Sequence, residues 1–327
     1  MRRRVFLVGL AGTSLAFSVD GFAQAPVKLY RLCALTGNQP ITPDSPLGVT
    51  LLGALAQYGY TLGKNLVFDS RGAGGKISEI PNVVQEFKAN GADAMLAIGY
   101  PAALAAKTVG IPTVIAYGAG DPVATGLVES LAQPGGIVTG ISDVATTLST
   151  KRLSLLKELL PKLRRVAMLW NKDDLGMSLR YEASAKAAES LGVNVQALGV
   201  REPDDFNGVF EAMDREPPDA ILMVSDSLTT LNRKRVFDYA AAKRLPAIYE
   251  YDALARDGGL MSYGPDLKES LTRAAALVDR IFRGAKPSEL PFEQPTHYLF
   301  VINLKTARST GIEIPATLLA LADEVIE

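Results

Sequence analysis

Short apolar segments alternate with longer amphipathic segments along most of this chain, and this alternation constrains the fold more than any other feature. Several apolar segments show no strict apolar–polar alternation, which is typical of strands buried on both faces of a sheet. Strands that alternate with helices predict an α/β protein whose parallel sheets carry helices on both faces. The predicted strands are Leu29–Leu35, Leu66–Ser70, Ala94–Ile98, Thr113–Ala116, Ile137–Ile141, Arg165–Trp170, Asn194–Leu198, Ala220–Val224, Ala247–Tyr249, Leu260–Ser262 and Tyr298–Ile302. The predicted helices are Leu47–Tyr58, Ile80–Asn90, Leu148–Leu160, Met177–Leu191, Asp205–Asp214, Leu228–Lys243 and Leu267–Arg283.

So many strands are more than one small sheet accommodates, and they favour two doubly wound lobes. A length of 327 residues is sufficient for two hydrophobic cores of ordinary size. The spacer Ser142–Thr150 is where we expect the chain to pass first from one lobe to the other, and Lys151–Pro161 begins the second lobe.

The first residues have the pattern of an export signal. Arg2–Arg4 are followed by the uncharged, largely apolar stretch Val5–Val19 and by the small residues Gly21 and Ala23. This stretch is shorter than the roughly 20 residues of a membrane-spanning helix, so we expect a signal peptide, 1–23, that is cleaved near Ala23. The paired arginines fit both a Sec signal and a twin-arginine signal. Either route predicts a protein of the periplasm.

Composition and motifs argue against several classes of protein. A net charge of −1 gives no sign of nucleic-acid binding, and one Cys with one His excludes almost every Cys/His metal site and any disulfide within the chain. Gly59–Asn65 lacks the spacing and the Ser/Thr of a phosphate-binding loop. His297 has no Ser or Cys context, and Asp173–Asp174 is interpreted as a solvated loop. We therefore predict no catalytic residue, no metal and no cofactor.

The candidate ligand-binding residues follow predicted strands. In doubly wound sheets, ligands bind outside the carboxyl ends of the strands, and this chain places small residues, aromatic rings and a few carboxylates there. Asp226 is either a helix N-cap or the partner of a ligand ammonium group, and Asp121 either caps a turn or lines the cleft. The predicted ligand-binding residues are Thr36, Asn38, Tyr100, Ala102, Tyr117, Asp121, Trp170, Asn171, Ser225, Asp226, Ser227, Glu250 and Tyr251.

Several segments, taken together, resemble one family. The mature chain from Leu29 to Glu327 is similar to the substrate-binding proteins of ABC transporters, a family that includes tryptophan- and tyrosine-type solute receptors. The segments that carry the resemblance are Gly120–Val128, Ser130–Gly140, Leu156–Pro161, Gly258–Asp266, Gly284–Pro287 and Val301–Ala307.

The resemblance implies a type I periplasmic-binding-protein fold, in which two Rossmann-like lobes joined by three crossovers close on a ligand by hinge bending. Lobe 1 is then expected to comprise 24–142 and 263–294, and lobe 2 to comprise 143–262 and 295–327. The helix start at Tyr100–Ala103 matches the family's carboxylate site. A small organic acid and an amino acid, including an aromatic one, both fit. The implied partners are a small-molecule ligand and an ABC permease, for a protein expected to be a monomer. A sensory receptor domain with the same fold is the alternative.

Overall fold

The strands form two separate sheets, each covered by helices, in the computed structural model, which describes residues 28–327. The predicted signal peptide lies outside the described residues. The strands are β1 (Tyr30–Thr36), β2 (Leu66–Gly72), β3 (Ala94–Ile98), β4 (Thr113–Tyr117), β5 (Val138–Gly140), β6 (Arg165–Asn171), β7 (Asn194–Val200), β8 (Ala220–Met223), β9 (Ala247–Tyr249), β10 (Met261–Pro265), β11 (Tyr298–Asn303) and β12 (Glu324–Ile326). The helices are α1 (Pro46–Gln57), α2 (Ile80–Ala89), α3 (Tyr100–Val109), α4 (Ala145–Leu159), α5 (Leu175–Ser190), α6 (Asp205–Arg215), α7 (Ser227–Leu231), α8 (Arg233–Lys243), α9 (Asp252–Arg256), α10 (Leu267–Phe282), α11 (Leu304–Thr310) and α12 (Ala316–Leu321).

The predicted α/β class is confirmed. The first sheet has the order β2-β1-β3-β4-β5, and all its strands are parallel. The second sheet has the order β12-β11-β10-β9-β8-β6-β7, and only the β10–β11 pair is antiparallel. Residues Leu32–Leu35 of the interior strand β1 are completely buried. Burial on both faces explains why such strands have apolar sequences without alternation.

The first lobe is built from two distant parts of the chain. Helix α10 packs with α1 against the first sheet, where Leu271 and Val278 join one apolar cluster with Leu32. A buried hydrogen bond of 2.9 Å, donated by the Tyr60 hydroxyl to Asp279 Oδ1, holds α10 to the loop after α1. The core of the first lobe is therefore completed by α10, which comes after most of the second lobe in the sequence.

Three adjacent segments connect the lobes: the passage from β5 to α4, the passage from β10 to α10 and the passage back to β11. The Ser142 N–H donates to the Glu293 carbonyl at 2.8 Å, and the Asp266 N–H donates to the His297 carbonyl at 3.0 Å. The second passage follows Pro265, not Ser262 as expected from the sequence, because residues 263–265 still pair with β11.

Other elements differ from the sequence-based expectation. The predicted helix Leu228–Lys243 is two helices, because the chain turns at Asn232, whose side-chain amide donates to the Leu228 carbonyl at 2.9 Å. Strand β12 and helices α9, α11 and α12 were not predicted. Within residues 28–327, no helix is long and apolar enough to cross a membrane.

Candidate functional site

A cavity of about 610 Å³ lies between the two lobes, at the carboxyl ends of strands from both sheets. Its wall contains the loop after β1, the ends of β3 and β4, the segment after β8 and the start of α9. This volume is ordinary for a small-molecule site. Most of the exposed lining is apolar, and Ile41, Leu47, Ile98 and Pro101 contribute to it from the first lobe. The cavity therefore suits a ligand with an apolar body and a few polar groups.

The loop after β1 forms one polar wall. The Thr36 hydroxyl donates to the Gln39 carbonyl at 2.8 Å and accepts from the Asn38 N–H at 3.1 Å. These bonds hold the loop in place without using the Asn38 side chain, whose Oδ1 is buried and has no hydrogen-bond partner among the described residues. Asn38 thus offers a free acceptor at the cavity wall.

Asp226 forms the facing wall, at the start of α7. Its Oδ1 accepts from the Thr229 N–H at 2.8 Å, as an N-cap, and its Oδ2 accepts from Asn171 Nδ2 at 2.6 Å. Burial raises the pKa of this carboxyl above its usual range. Ser225 beside it is buried, and its Oγ has no partner among the described residues. Asp226 is therefore both a cap and a cavity carboxylate, so neither sequence-based interpretation excludes the other.

A second carboxylate of the cavity, Asp174, was interpreted from the sequence as solvated, and that interpretation is wrong. Asp174 is only 3% exposed and lines the cavity. It is the N-cap of α5, where its Oδ1 accepts from the Met177 N–H at 3.2 Å. Burial and the nearby charge of Asp226 raise its pKa to about 7. Its neighbour Asp173 is the exposed member of the pair and bonds to Arg201.

Two tyrosines meet across the hinge side of the cavity. The rings of Tyr117, from the first lobe, and Tyr251, from the second lobe, lie 5.6 Å apart in an edge-to-face arrangement. Nearby, Gly99 and Pro101 at the start of α3 also line the cavity. The free N–H groups of a helix N-terminus attract anions, but Gly99 donates its N–H to the Tyr117 carbonyl at 3.1 Å and Pro101 has no N–H. The carboxylate site expected at Tyr100–Ala103 therefore stays a prediction.

Glu250 belongs to a buried ion-pair network and does not line the cavity. Its carboxylate accepts from Arg152 Nη1 at 3.0 Å, from Arg180 and from the Ser225 N–H at 3.2 Å. Arg180 also bonds to Asp143, whose carboxylate accepts from the N–H groups of Gly118 and Gly120 at 2.9 Å each. This network connects a loop of the first lobe to the segment that carries Asp226.

The cavity brings together about half of the predicted residues. Those that line it are Thr36, Asn38, Tyr117, Ser225, Asp226, Ser227 and Tyr251. Those that do not are Tyr100, Ala102, Asp121, Trp170, Asn171 and Glu250.

Each of these exceptions has a local reason. Ala102 is buried in the core of the first lobe. Tyr100 lies at the lobe contact, where its Cβ is 3.1 Å from the position of a Cβ added at Gly176. Asp121 caps a turn by accepting from the Val123 N–H at 2.9 Å. Trp170 stacks on Tyr181 with ring centroids 3.6 Å apart.

Asn171 and Glu250 are buried behind the segment that carries Asp226. The main omission from the sequence-based set is Asp174. The sequence signal that could have identified it is an Asp placed between a predicted strand and a predicted helix, where it caps α5. No group of three or more His, Cys, Asp or Glu side chains within residues 28–327 is arranged to hold a metal ion.

Comparison with known proteins agrees with this architecture. The chain is 25% identical over 262 residues, 80% of this chain and 75% of the relative, to a tyrosine-binding protein of Clostridioides difficile. A crystal structure of a conserved domain protein from Vibrio cholerae superposes with a TM-score of 0.84 at 25% identity, covering 91% of this chain and 100% of that one. The ABC domain of Streptococcus pneumonia in complex with L-Trp gives a TM-score of 0.83 at 24% identity, with the same coverage.

The fold and the cleft define a two-lobed solute-binding protein of the periplasmic-binding-protein type I class, which binds a ligand without transforming it. The sequence model of the family described as ABC transporter substrate binding protein matches residues 48–326. The chain belongs to this family, as the resemblance in its sequence indicated.

Proposed function

We propose that this protein is the periplasmic receptor of an ABC importer and that it captures an amino acid with an apolar, and in particular an aromatic, side chain. The observation that carries this proposal is the arrangement of polar groups in the cavity, where the carboxylates of Asp174 and Asp226 face an otherwise apolar space together with the oxygens of Asn38 and Ser225, which have no partner among the described residues. The ligand ammonium group bonds to Asp226, its carboxylate lies at the start of α3, and its side chain packs among the apolar residues. The relatives that bind tyrosine and L-Trp support the same class of ligand.

A thermal-shift screen with matched analogues tests the ligand class. L-Tryptophan, L-tyrosine and L-phenylalanine are compared with indole-3-propionate, which lacks the amine, and with tryptamine, which lacks the carboxylate. A ligand at 100 times its Kd stabilises the native state by about 2.7 kcal/mol, so binding raises Tm measurably. We expect a shift with the amino acids and a much smaller one with either analogue. An equal shift with indole-3-propionate would contradict the role of the amine.

Asp226→Asn tests the assigned partner of the amine. The asparagine side chain keeps an oxygen that accepts from the Thr229 N–H, so the cap of α7 is retained while the charge is lost. Hydrogen bonds to charged groups contribute about 1.5–3 kcal/mol, so calorimetry should give a Kd about 10- to 150-fold weaker for the amino acid. Unchanged affinity would remove Asp226 from the site.

The proposed location and partner have their own tests. Cell fractionation is expected to place the mature protein in the periplasm, and replacing Arg3 and Arg4 with lysine separates twin-arginine export from Sec export. Uptake of labelled amino acid by cells that lack this gene separates an importer component from a sensory receptor of the same fold. An unchanged uptake rate would favour the sensory role.

A further inference from the structure

Four carboxylates line the part of the cavity that belongs to the second lobe, and two of them, Asp174 and Asp226, have no cation partner among the described residues and keep acceptor positions free. Asp174 accepts from the Met177 N–H through Oδ1. Asp226 Oδ1 accepts from the Thr229 N–H and lies 2.9 Å from the Thr229 hydroxyl, and Oδ2 accepts a single bond, from Asn171. A carboxylate has about four acceptor positions, so both groups accept further donors.

The arginines around the two carboxylates are engaged elsewhere. Arg180, on the helix that Asp174 caps, is held by Asp143 and Glu250. At the cavity wall, Arg233 pairs with Asp257 at 2.8 Å and Arg256 pairs with Asp252 and Glu324. Lys268 lines the cavity from α10, and Tyr100 of α3 is the titratable group that faces Asp174 from the first lobe. The loop before α5 adds Lys172 and Asp173, which are both exposed, and Asp173 is bonded to Arg201.

An independent observation indicates what the two carboxylates bind. The Ser225 side chain is 2% exposed, lines the same cavity and has an Oγ without a partner among residues 28–327. A buried hydroxyl without a partner is uncommon and indicates a missing bonding group. A primary ammonium has three donors and one positive charge, which matches two carboxylates and one hydroxyl.

We propose that Asp174 is a second, specificity-determining carboxylate that holds the ligand ammonium together with Asp226, and that it releases its proton to solvent when the ligand binds. This inference rests on the proposed function, because it presupposes a ligand with an amine. Asp174 then discriminates a cationic head group from a neutral one, and it makes capture of the ligand depend on pH near neutrality.

The direction of the pH dependence follows from the two states of Asp174. In the free protein, its pKa is raised to about 7 by burial and by the charge of Asp226. The positive charge of the bound ammonium favours the ionised carboxylate and lowers this pKa. Affinity therefore rises with pH up to about 7 and is constant above it, since the ligand ammonium stays charged throughout. With a single linked proton, the Kd at pH 5.5 should be about 30-fold weaker than at pH 8.

Titration calorimetry tests this linkage on the full mature protein. The probe is whichever of L-tryptophan or L-tyrosine gives the larger thermal shift, measured between pH 5.5 and pH 8 in buffers of different ionisation enthalpy. At pH 6, we expect a heat that varies with the buffer and corresponds to release of nearly one proton. The matched variants are Asp174→Asn, which keeps an acceptor for the Met177 N–H, and Asp173→Asn, which changes the exposed neighbour. The first should remove both the proton release and the pH dependence, and the second should retain both.

The outcomes separate this inference from the proposed function. An amino acid that binds with the same Kd at pH 5.5 and pH 8, without proton release, overturns the role of Asp174 and leaves the proposed function standing. A pH profile unaffected by Asp174→Asn overturns it as well. Failure of both probes to bind at any pH overturns the amino-acid assignment, and the inference with it.

Discussion

Gly37 lies where the loop after β1 meets the start of α7 across the cavity. A Cβ added at Gly37 would be 2.0 Å from Ser227 Oγ and 2.8 Å from Ser227 Cβ. The Ser227 hydroxyl can rotate away, but its Cβ cannot, so the second contact persists in every rotamer. The backbone of Gly37 lies outside the left-handed region, and an alanine there is not strained within its own lobe. Gly37→Ala should therefore oppose closure of the lobes without unfolding either of them.

The size of the effect follows from the contact distance. A separation of 2.8 Å between two carbon atoms is about 1 Å shorter than a normal contact, so the lobes must open or the loop must shift. Overpacking of this kind costs about 1–3 kcal/mol. If ligand binding requires the closed arrangement, this cost appears in the affinity as a Kd about 5- to 150-fold weaker. Tm without ligand should change little, since the cores of both lobes are untouched.

Calorimetry and thermal unfolding of three variants check this reasoning. Gly136→Ala is the control, because a Cβ there meets no atom within 4 Å and the residue, although exposed where Gly37 is buried, is also a loop glycine of the first lobe. Gly37→Ala combined with Ser227→Gly removes both atoms of the clash and should restore most of the affinity. A Gly37→Ala variant that binds as tightly as the wild type, or a double variant no better than the single one, would refute the argument.

Three further changes test other parts of the structure. Arg180→Met leaves two buried carboxylates without their shared cation, so we expect about 3–5 kcal/mol of lost stability in chemical denaturation, compared with near-wild-type stability for exposed Arg215→Met. Tyr60→Phe removes the bond to Asp279 and should cost about 1–3 kcal/mol, with a lower Tm. The raised pKa of Asp174 means that its ionisation destabilises the unliganded fold as pH rises through about 7. Asp174→Asn should therefore be more stable than the wild type at pH 8, and this advantage should disappear near pH 4; no gain at pH 8 would contradict it.

The sequence predicted the strands well because burial on both faces leaves a strong signal. β3 and β9 have the predicted bounds, and their residues are almost completely buried. β12 was missed because its residues are only partly buried, whereas the equally short β9 is buried throughout. The break at Asn232 was missed because a side-chain amide that bonds to the preceding turn resembles an ordinary polar helical residue in a one-dimensional pattern.

The cavity was predicted less completely because a position after a strand does not fix the direction of a side chain. Asn171 ends β6 and Glu250 follows β9, but Asn171 bonds to Asp226 from behind the cavity wall and Glu250 turns toward the buried Arg152 and Arg180. Asp173 and Asp174 are adjacent and identical in type, yet one is solvated and the other is enclosed. Only the N-cap geometry of α5 distinguishes them.

The origin of α10 late in the chain has a consequence for the order of biosynthesis. When a growing polypeptide has reached Pro265, the strands of the first sheet and most of the second have been made, but the apolar face formed by Leu32 and Leu55 has no cover. That face is enclosed only after residues 267–282 emerge. The amino-terminal lobe is thus translated first but is completed only shortly before the second lobe, whose sheet still needs β11 and β12, and a nascent chain keeps apolar surface exposed until translation is almost complete.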